Sequence, residues 1–440
     1  MGQNLRARLG RIRAAQKNEE KIPSENSRRD SSGSRSPSGT EKAADPDSIL
    51  PGWNQSGYKT LRRTVQSDLP FDAPEILLQA LAILVPDFFR CSASKSMPVP
   101  GDLLFFDLET TGLSGGAGTV AFLAAFGRFR KQKLEITQYL LLDYPGEADF
   151  IEAVLKEFKI PGEAAGNSRR EPVVVSYNGK SFDSQILKTR CLMNGVMAPD
   201  FFHADLLHPA RRLWKTRLPD CSQATIETQI LGLDRTGDIS GAEAPEIWFN
   251  FLKTGETEAL LDICEHNKKD ICGLASILIA LAEIAASPLG TREKFNFDFE
   301  ALSLRWRETA LKRTSFLNET EISAGKELLL KASEEGLPRA MFARALDLLR
   351  EAEFKEGKRL LKRLISLKNI HPGTAEIKLL ALRTLAMDAE WRVCDLQEAL
   401  IHTEAALSLE CLRESMKAEF IRRRERLLKK LGNPEVLNGN

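Results

Sequence analysis

No apolar run in this 440-residue chain approaches the roughly 18 residues that a membrane span requires, so no membrane interaction is expected. The N-terminus is charged and lacks the apolar core of a secretory signal. "MGQNLR" opens like a myristoylation site but carries Arg6 where Ser or Thr belongs. Cysteines number seven, at 91, 191, 221, 264, 272, 394 and 411. They form neither a C-x-x-C pair nor a dense framework, which excludes a disulfide-stapled fold and points to free thiols in a reducing cytoplasm. Net charge is also missing: 62 Lys and Arg against 61 Asp and Glu leave +1. No overall field draws in a polyanion, so any electropositive surface must be local. There is no G-x-S-x-G elbow for a Ser/His/Asp hydrolase and no G-x-x-x-x-G-K-[ST] for an NTPase.

The 42% hydrophobic and 28% charged composition is that of a globular protein with ample core. The length predicts two domains plus tails. Residues 1–50 read as a disordered, basic, Ser-rich tail, solvated or serving as a weak nucleic-acid arm. Residues 51–100 read as a helical lead-in around "APEILLQALAILVPDFF". From 101 to 288 the pattern is α/β. "DLLFFDLE", "TVAFLAAFGRFR" and "KLEITQYLLLDY" are strand-like, "GEADFIEAVLKEF" is helical, and "EPVVVSYNG" is a buried strand. Helices follow in "SFDSQILKTRCLMNG", "LLHPARRLWK", "PEIWFNFLKTG" and about 256–286. This order predicts a mixed sheet flanked by helices. Residues 289–432 carry only helix-period segments and form an all-α domain, tetratricopeptide-like in its pairing but without a clean repeat of about 34 residues. Its last helix, with "RRRERLLKK", is a solvated face or a nucleic-acid or partner surface. Residues 433–440 are a tail.

Asp107 and Glu109 stand two apart at the end of the first strand, so both carboxylates point to one face. Two like charges there need an offsetting partner unless the strand end simply faces solvent. Hard oxygen ligands suit Mg²⁺ or Mn²⁺. Asp183 follows the buried strand at a helix start, where the helix dipole alone would also favour it. Asp270 interrupts an apolar helix, with His266 four residues earlier on the same face. Gly-Gly-Ala-Gly at 115–118 lacks G-x-G-x-x-G spacing, and a strand follows it where a dinucleotide site needs a helix. With Thr110 and Gly112 it reads as a tight connection at the rim of a site. A zinc site from Cys264, His266 and Cys272 is disfavoured: the cysteines stand eight residues apart on one helix, about 12 Å.

These segments, "FFDLETTGLSGGAGTVAFL", "SYNGKSFDSQILKTR", "HADLLHPARRLWKTRLPDCSQATIE" and "HNKKDICGLASIL", resemble the DEDD 3′–5′ exonucleases of the ribonuclease H-like superfamily. They are most similar to the YprB-like ribonuclease H-like family, over about residues 100–285. The resemblance implies that Asp107, Glu109, Asp183 and Asp270 bind two divalent ions, Mg²⁺ or Mn²⁺, that clamp the attacking and departing oxygens of a phosphodiester. His266 is the candidate general base. In better-known subgroups the base is a Tyr four residues before the last Asp or a His five before it; here a His stands four before. Thr110, Gly112, Tyr177, Asn178, Lys180, His203, Asp205 and Arg211 are candidate substrate contacts, the basic ones to phosphates. The expected function is a metal-dependent nuclease, a 3′–5′ exonuclease on DNA or RNA, with a helical domain for substrate or a protein partner. The alternatives are a structure-selective endonuclease of the same fold and a noncatalytic adaptor for nucleic acid or protein.

Overall fold

Buried β-branched and aromatic runs build a seven-stranded sheet in the order β1-β2-β5-β4-β3-β6-β7. Its strands are β1 (Asn54–Gly57), β2 (Thr60–Ser67), β3 (Leu103–Thr110), β4 (Ala121–Arg130), β5 (Lys133–Leu141), β6 (Val173–Ser176) and β7 (Phe202–Asp205). β6 runs parallel to both β3 and β7, and the other pairs are antiparallel. The central strands β3, β4 and β6 are buried on both sides, which explains their near-continuous apolar sequence. This computed structural model describes residues 50–69, 75–85, 98–112, 116–130, 133–160, 171–312, 317–368, 373–409 and 414–432. The expected tails, 1–50 up to its last residue and 433–440, lie outside them.

Two apolar cores sandwich the sheet. One holds Phe105, Ala125, Ile136 and Val175; the other holds Phe106, Phe122, Phe126 and Val174. Alternation along each strand makes the division. Helices α1 (Glu75–Leu84), α4 (Leu207–Trp214), α5 (Gln223–Gln229) and most of α7 (Glu258–Ala286) close the first core. The second is closed by α2 (Glu147–Glu157), α3 (Asp183–Met193), α6 (Ala244–Thr254) and the first turns of α7. No helix among the described residues is long and apolar enough to cross a membrane.

Three strands differ from the expectation. Among the described residues of the lead-in over 51–100 the α-helix is α1; the first part is the β1–β2 hairpin, with β2 paired to β5 from Thr60↔Leu141 to Ser67↔Leu134. "TLRRTVQS" alternates half-buried Arg63 and Val65 with exposed Arg62, Thr64 and Gln66. This polar alternation lacks the apolar run that marks the central strands. β7, "FHAD", is too short to carry a period and is defined by its parallel pairing with β6.

Beyond α7 the chain is helical: α8 (Arg292–Phe295), α9 (Phe299–Leu311), α10 (Glu319–Glu334), α11 (Pro338–Arg350), α12 (Phe354–Ser366), α13 (Thr374–Asp388), α14 (Leu396–Leu407) and α15 (Glu414–Lys430). The core does not break at 289. Phe299, Leu302 and Trp306 of α9 and Leu328 and Leu329 of α10 belong to the first core, against α1 and α7. Separate small cores begin only with Met341, Leu361 and Leu385. We therefore expect Leu329→Ala to lower stability by about 2–5 kcal/mol. Hydrogen-exchange mass spectrometry should record faster exchange in α7 and α1 as well as in α10; exchange confined to α9 and α10 would mean that the cores are independent.

Candidate active site

The alternation of β3 turns Asp107 and Glu109 to the face covered by α7, at the end of the strand. Glu109 is only 8% exposed. α7 carries Asn267, which donates from Nδ2 to Asp107 Oδ2 at 2.7 Å. A chain of amides stands behind this bond. Gln138, fully buried on β5, donates to Asn267 Oδ1 and to the Cys264 carbonyl, each at 2.9 Å. Arg63, on the unforeseen strand β2, donates from Nε to Gln138 Oε1 at 2.6 Å and pairs with Glu265 at 2.8 Å. The hairpin thus fixes the height of α7 over the acids.

Asp183 is the first residue of α3 and is buried. The turn that delivers it is pinned by Asp205, which accepts backbone N–H groups from Asn178 at 2.8 Å, Lys180 at 3.1 Å and Leu207 at 3.0 Å. Asn178 adopts φ 63° to make the turn. Gly179 is obligatory for space: a Cβ there would lie 2.7 Å from Asp183 Oδ2 and 2.6 Å from Ser176 Oγ.

The electrostatics show that the acids are neighbours. Burial, then the charges of Asp270, Asp183 and Glu109, hold the Asp107 carboxyl well above the usual carboxylate range, against the pull of the Asn267 hydrogen bond. Burial, Asp270 and Asp183 do the same to Glu109. Burial, with the charge of Asp205, pushes Asp183 up to about 7. Among the described residues Glu109, His266 and Asp270 bring one ligand atom each within 4.8 Å of one another. Such a donor set fits a hard or borderline divalent ion.

A second frame holds the α7 side of the site. Arg235, 13% exposed at its side chain, sends Nη2 to Asp270 Oδ1 at 2.7 Å, Nη1 to Asp238 Oδ2 at 2.6 Å and Nε to Glu227 Oε2 at 2.5 Å. Asp238 Oδ2 lies 3.0 Å from His266 Nδ1, and His266 Nε2 lies 3.3 Å from Asp270 Oδ2. Glu227 is completely buried and occupies the space over Gly273, where a Cβ would fall 1.6 Å from its Oε1. None of Glu227, Arg235 and Asp238 was foreseen; Arg235 and Asp238 lie on a turn where Gly237 adopts φ +74°.

The remaining expected contacts divide. Lys180 and Arg211 are exposed near the turn and beside Tyr177. Asp205 is 2% exposed and fully engaged by backbone, so it positions the turn and is not available to a substrate. Tyr177 donates its hydroxyl to the Cys221 carbonyl at 2.6 Å and packs against the first core, which likewise gives it a structural task. His203 Nε2 lies 2.7 Å from Ser176 Oγ, and burial depresses its pKa to about 4. Thr110 donates to the Gly112 carbonyl at 3.0 Å, at the irregularity that ends β3; residues 113–115 of the adjoining loop lie outside the described residues.

Residues 104–282 match the model of the RNase H superfamily. The fold of this region is ribonuclease H-like. Over 185 residues the chain is 37% identical to the uncharacterized protein YprB of Bacillus subtilis (strain 168), 41% of this chain and 42% of that relative. The match spans less than half the length of YprB. The fold is therefore of the nuclease type, one that generally employs divalent metals and binds nucleic acid, and the resemblance read from the motifs holds at this level.

Two outcomes follow from the site's electrostatics. Arg235→Met leaves Glu227 as a buried carboxylate without its cation, and unfolding by urea should report a loss of about 3–5 kcal/mol. Glu109→Gln removes one charge from a desolvated, repelling group, so the metal-free protein should melt at a higher temperature than the parent chain. A lower melting temperature would contradict the repulsion.

Proposed function

We propose that the ribonuclease H-like domain is a divalent-metal-dependent nuclease that removes nucleotides from the 3′ end of DNA or RNA. One observation carries this reading: Asp107 shares a desolvated space with Glu109, Asp183 and Asp270, where burial and mutual repulsion both oppose ionisation. A divalent cation would stabilise the ionised forms of Asp107, Glu109 and Asp183, and carboxylate oxygens such as theirs and that of Asp270 suit Mg²⁺ or Mn²⁺. When bound, such ions supply charge neutralisation at the scissile phosphate and acidify a water. Asp107, Glu109, Asp183 and Asp270 would hold them.

His266, whose Nδ1 faces Asp238, is oriented to take the proton of the attacking water at Nε2. The same Nε2 lies in reach of Glu109 and Asp270, so ligation is its other available role. Lys180 and Arg211 meet substrate phosphates, and Thr110, Gly112, Asn178 and His203 form the rim of the site. The helical region from α9 onward extends the substrate or partner surface. The five described cysteines are free, in keeping with action in a reducing cytoplasm.

The experiment is a degradation assay on end-labelled single- and double-stranded DNA and RNA with Mg²⁺ or Mn²⁺. Mononucleotide release is expected, and Asp107→Ala and Asp183→Ala should each reduce it by more than the about 10–100-fold typical of changes around a metal's ligands. Both variants should also lose the calorimetric heat of Mn²⁺ binding. Longer products would instead favour an endonuclease, and activity unchanged in both variants would refute the assignment.

A further inference from the structure

On the other face of the sheet, β2, β4, β5 and the end of α2 enclose a second cavity of about 230 Å³. The alternation of β4 fixes the side. Gly127 abuts Ile271 and Phe105 under α7, whereas Phe126, Arg128 and Arg130 point the opposite way. Five cations line the cavity, Arg62, Arg128, Arg130, Lys156 and Lys159, against the two carboxylates of Glu135 and Glu157.

Arg128 is the informative residue. It is only 7% exposed; its Nη2 donates to the carbonyls of Glu157 at 2.5 Å and Lys159 at 3.4 Å, and its buried Nη1 has no partner. The charges of Glu157, buried Asp102 and Glu135 act on it, but none of these carboxylates is hydrogen-bonded to it. Glu157 accepts the Tyr139 hydroxyl at 2.7 Å, and Glu135 lies across the β4–β5 ladder without an ion pair to Arg128. The other cations are largely uncommitted. Arg62 donates to the Tyr139 hydroxyl at 3.2 Å, Lys156 pairs with exposed Glu152 at 3.1 Å, and Arg130 and Lys159 form no ion pair among the described residues. Burying a guanidinium with a donor unsatisfied is costly; the charges of Glu157, Asp102 and Glu135 offset part of that cost, and an anion bound at the unpartnered Nη1 would satisfy the donor itself. Guanidinium donors fixed in this way are suited to a tetrahedral oxyanion.

We propose that this cavity is an oxyanion-binding site that takes a phosphate group, with Arg128 as its fixed donor and Arg130 and Lys159 as its exposed rim. The volume is below the roughly 300–1,000 Å³ of sites for drug-sized ligands, so the group recognised is a phosphate or diphosphate and not a whole nucleotide. The phosphate is either free or the end of a nucleic acid. The site is separated from the acids by the sheet and does not depend on the nuclease reading.

The probe is sodium pyrophosphate, titrated calorimetrically into the full-length chain in EDTA at low ionic strength. Saturable binding is expected. R130A/K159A, altered only at exposed positions, should weaken it at least about tenfold, the effect of losing charge-assisted contacts, without changing the thermal midpoint. Arg128→Met should abolish it, and Asp107→Asn should leave it intact. No saturable heat with the parent chain, or equal affinity in R130A/K159A, would overturn the proposal. An end-phosphorylated oligonucleotide that competes with pyrophosphate in the parent chain assigns the site to nucleic acid; pyrophosphate binding without such competition assigns it to free phosphate.

Discussion

Asn267 donates to Asp107 across 2.7 Å, and this bond ties the helix that crosses the sheet to the strand that carries the acids. Asp107 resists ionisation because it is buried among three other carboxylates, so a neutral donor helps it without adding charge that would displace a ligand. Gln138 fixes the orientation of the Asn267 amide by donating to its oxygen, which turns the NH₂ toward Asp107. Gln138 in turn is oriented by Arg63 from the neighbouring strand. The β1–β2 hairpin is thus part of the site's construction, although it contributes no acid. A buried polar chain of this kind is favourable only when every member is satisfied.

The α7 side solves the same problem differently. Asp270 is held by a cation, Arg235, which is itself neutralised by Glu227 and Asp238. Asp238 reaches on to His266, so the only imidazole of the cluster lies between two carboxylates. The arrangement couples three segments, α5, the 234–238 loop and α7, through one guanidinium. Gly273 makes it possible, since any side chain there would evict Glu227. Rigidity around Asp270 is therefore built from ion pairs, whereas rigidity around Asp107 is built from amides.

Much of this was legible in the residues. Asp107, Glu109 and Asp183 sit at the ends of strongly apolar strands or at the start of a helix, where a charged residue stands out against its neighbours. Asp270 and His266 interrupt an apolar helix at a spacing that shares a face. Their supports were not legible, for a physical reason: Arg63 meets Glu265 across a separation of 202 residues, and Arg235 meets Asp270 across 35. No local period encodes such partners. Asp205 marks the opposite failure. As an acid beside a basic segment it had the look of a substrate contact, but its environment on β7 consumes both oxygens in backbone bonds. The boundary expected near 289 failed similarly, because the sequence changes from mixed to helical there while the core continues into α9 and α10.

The sheet also organises the charges of a chain whose net charge is only +1. Charge is segregated by face: acids gather under α7, and cations gather around Arg128 on the side of α2. Two clusters of opposite sign on one face would pair with each other, and neither would remain open to a ligand. A sheet with both faces covered by apolar packing keeps them apart at little cost, since each cluster meets its own boundary of water. Near-neutrality of the whole chain, 62 basic against 61 acidic residues, thus coexists with local potentials of opposite sign, and local potentials govern binding at distances within a Debye length, about 8–10 Å at physiological salt.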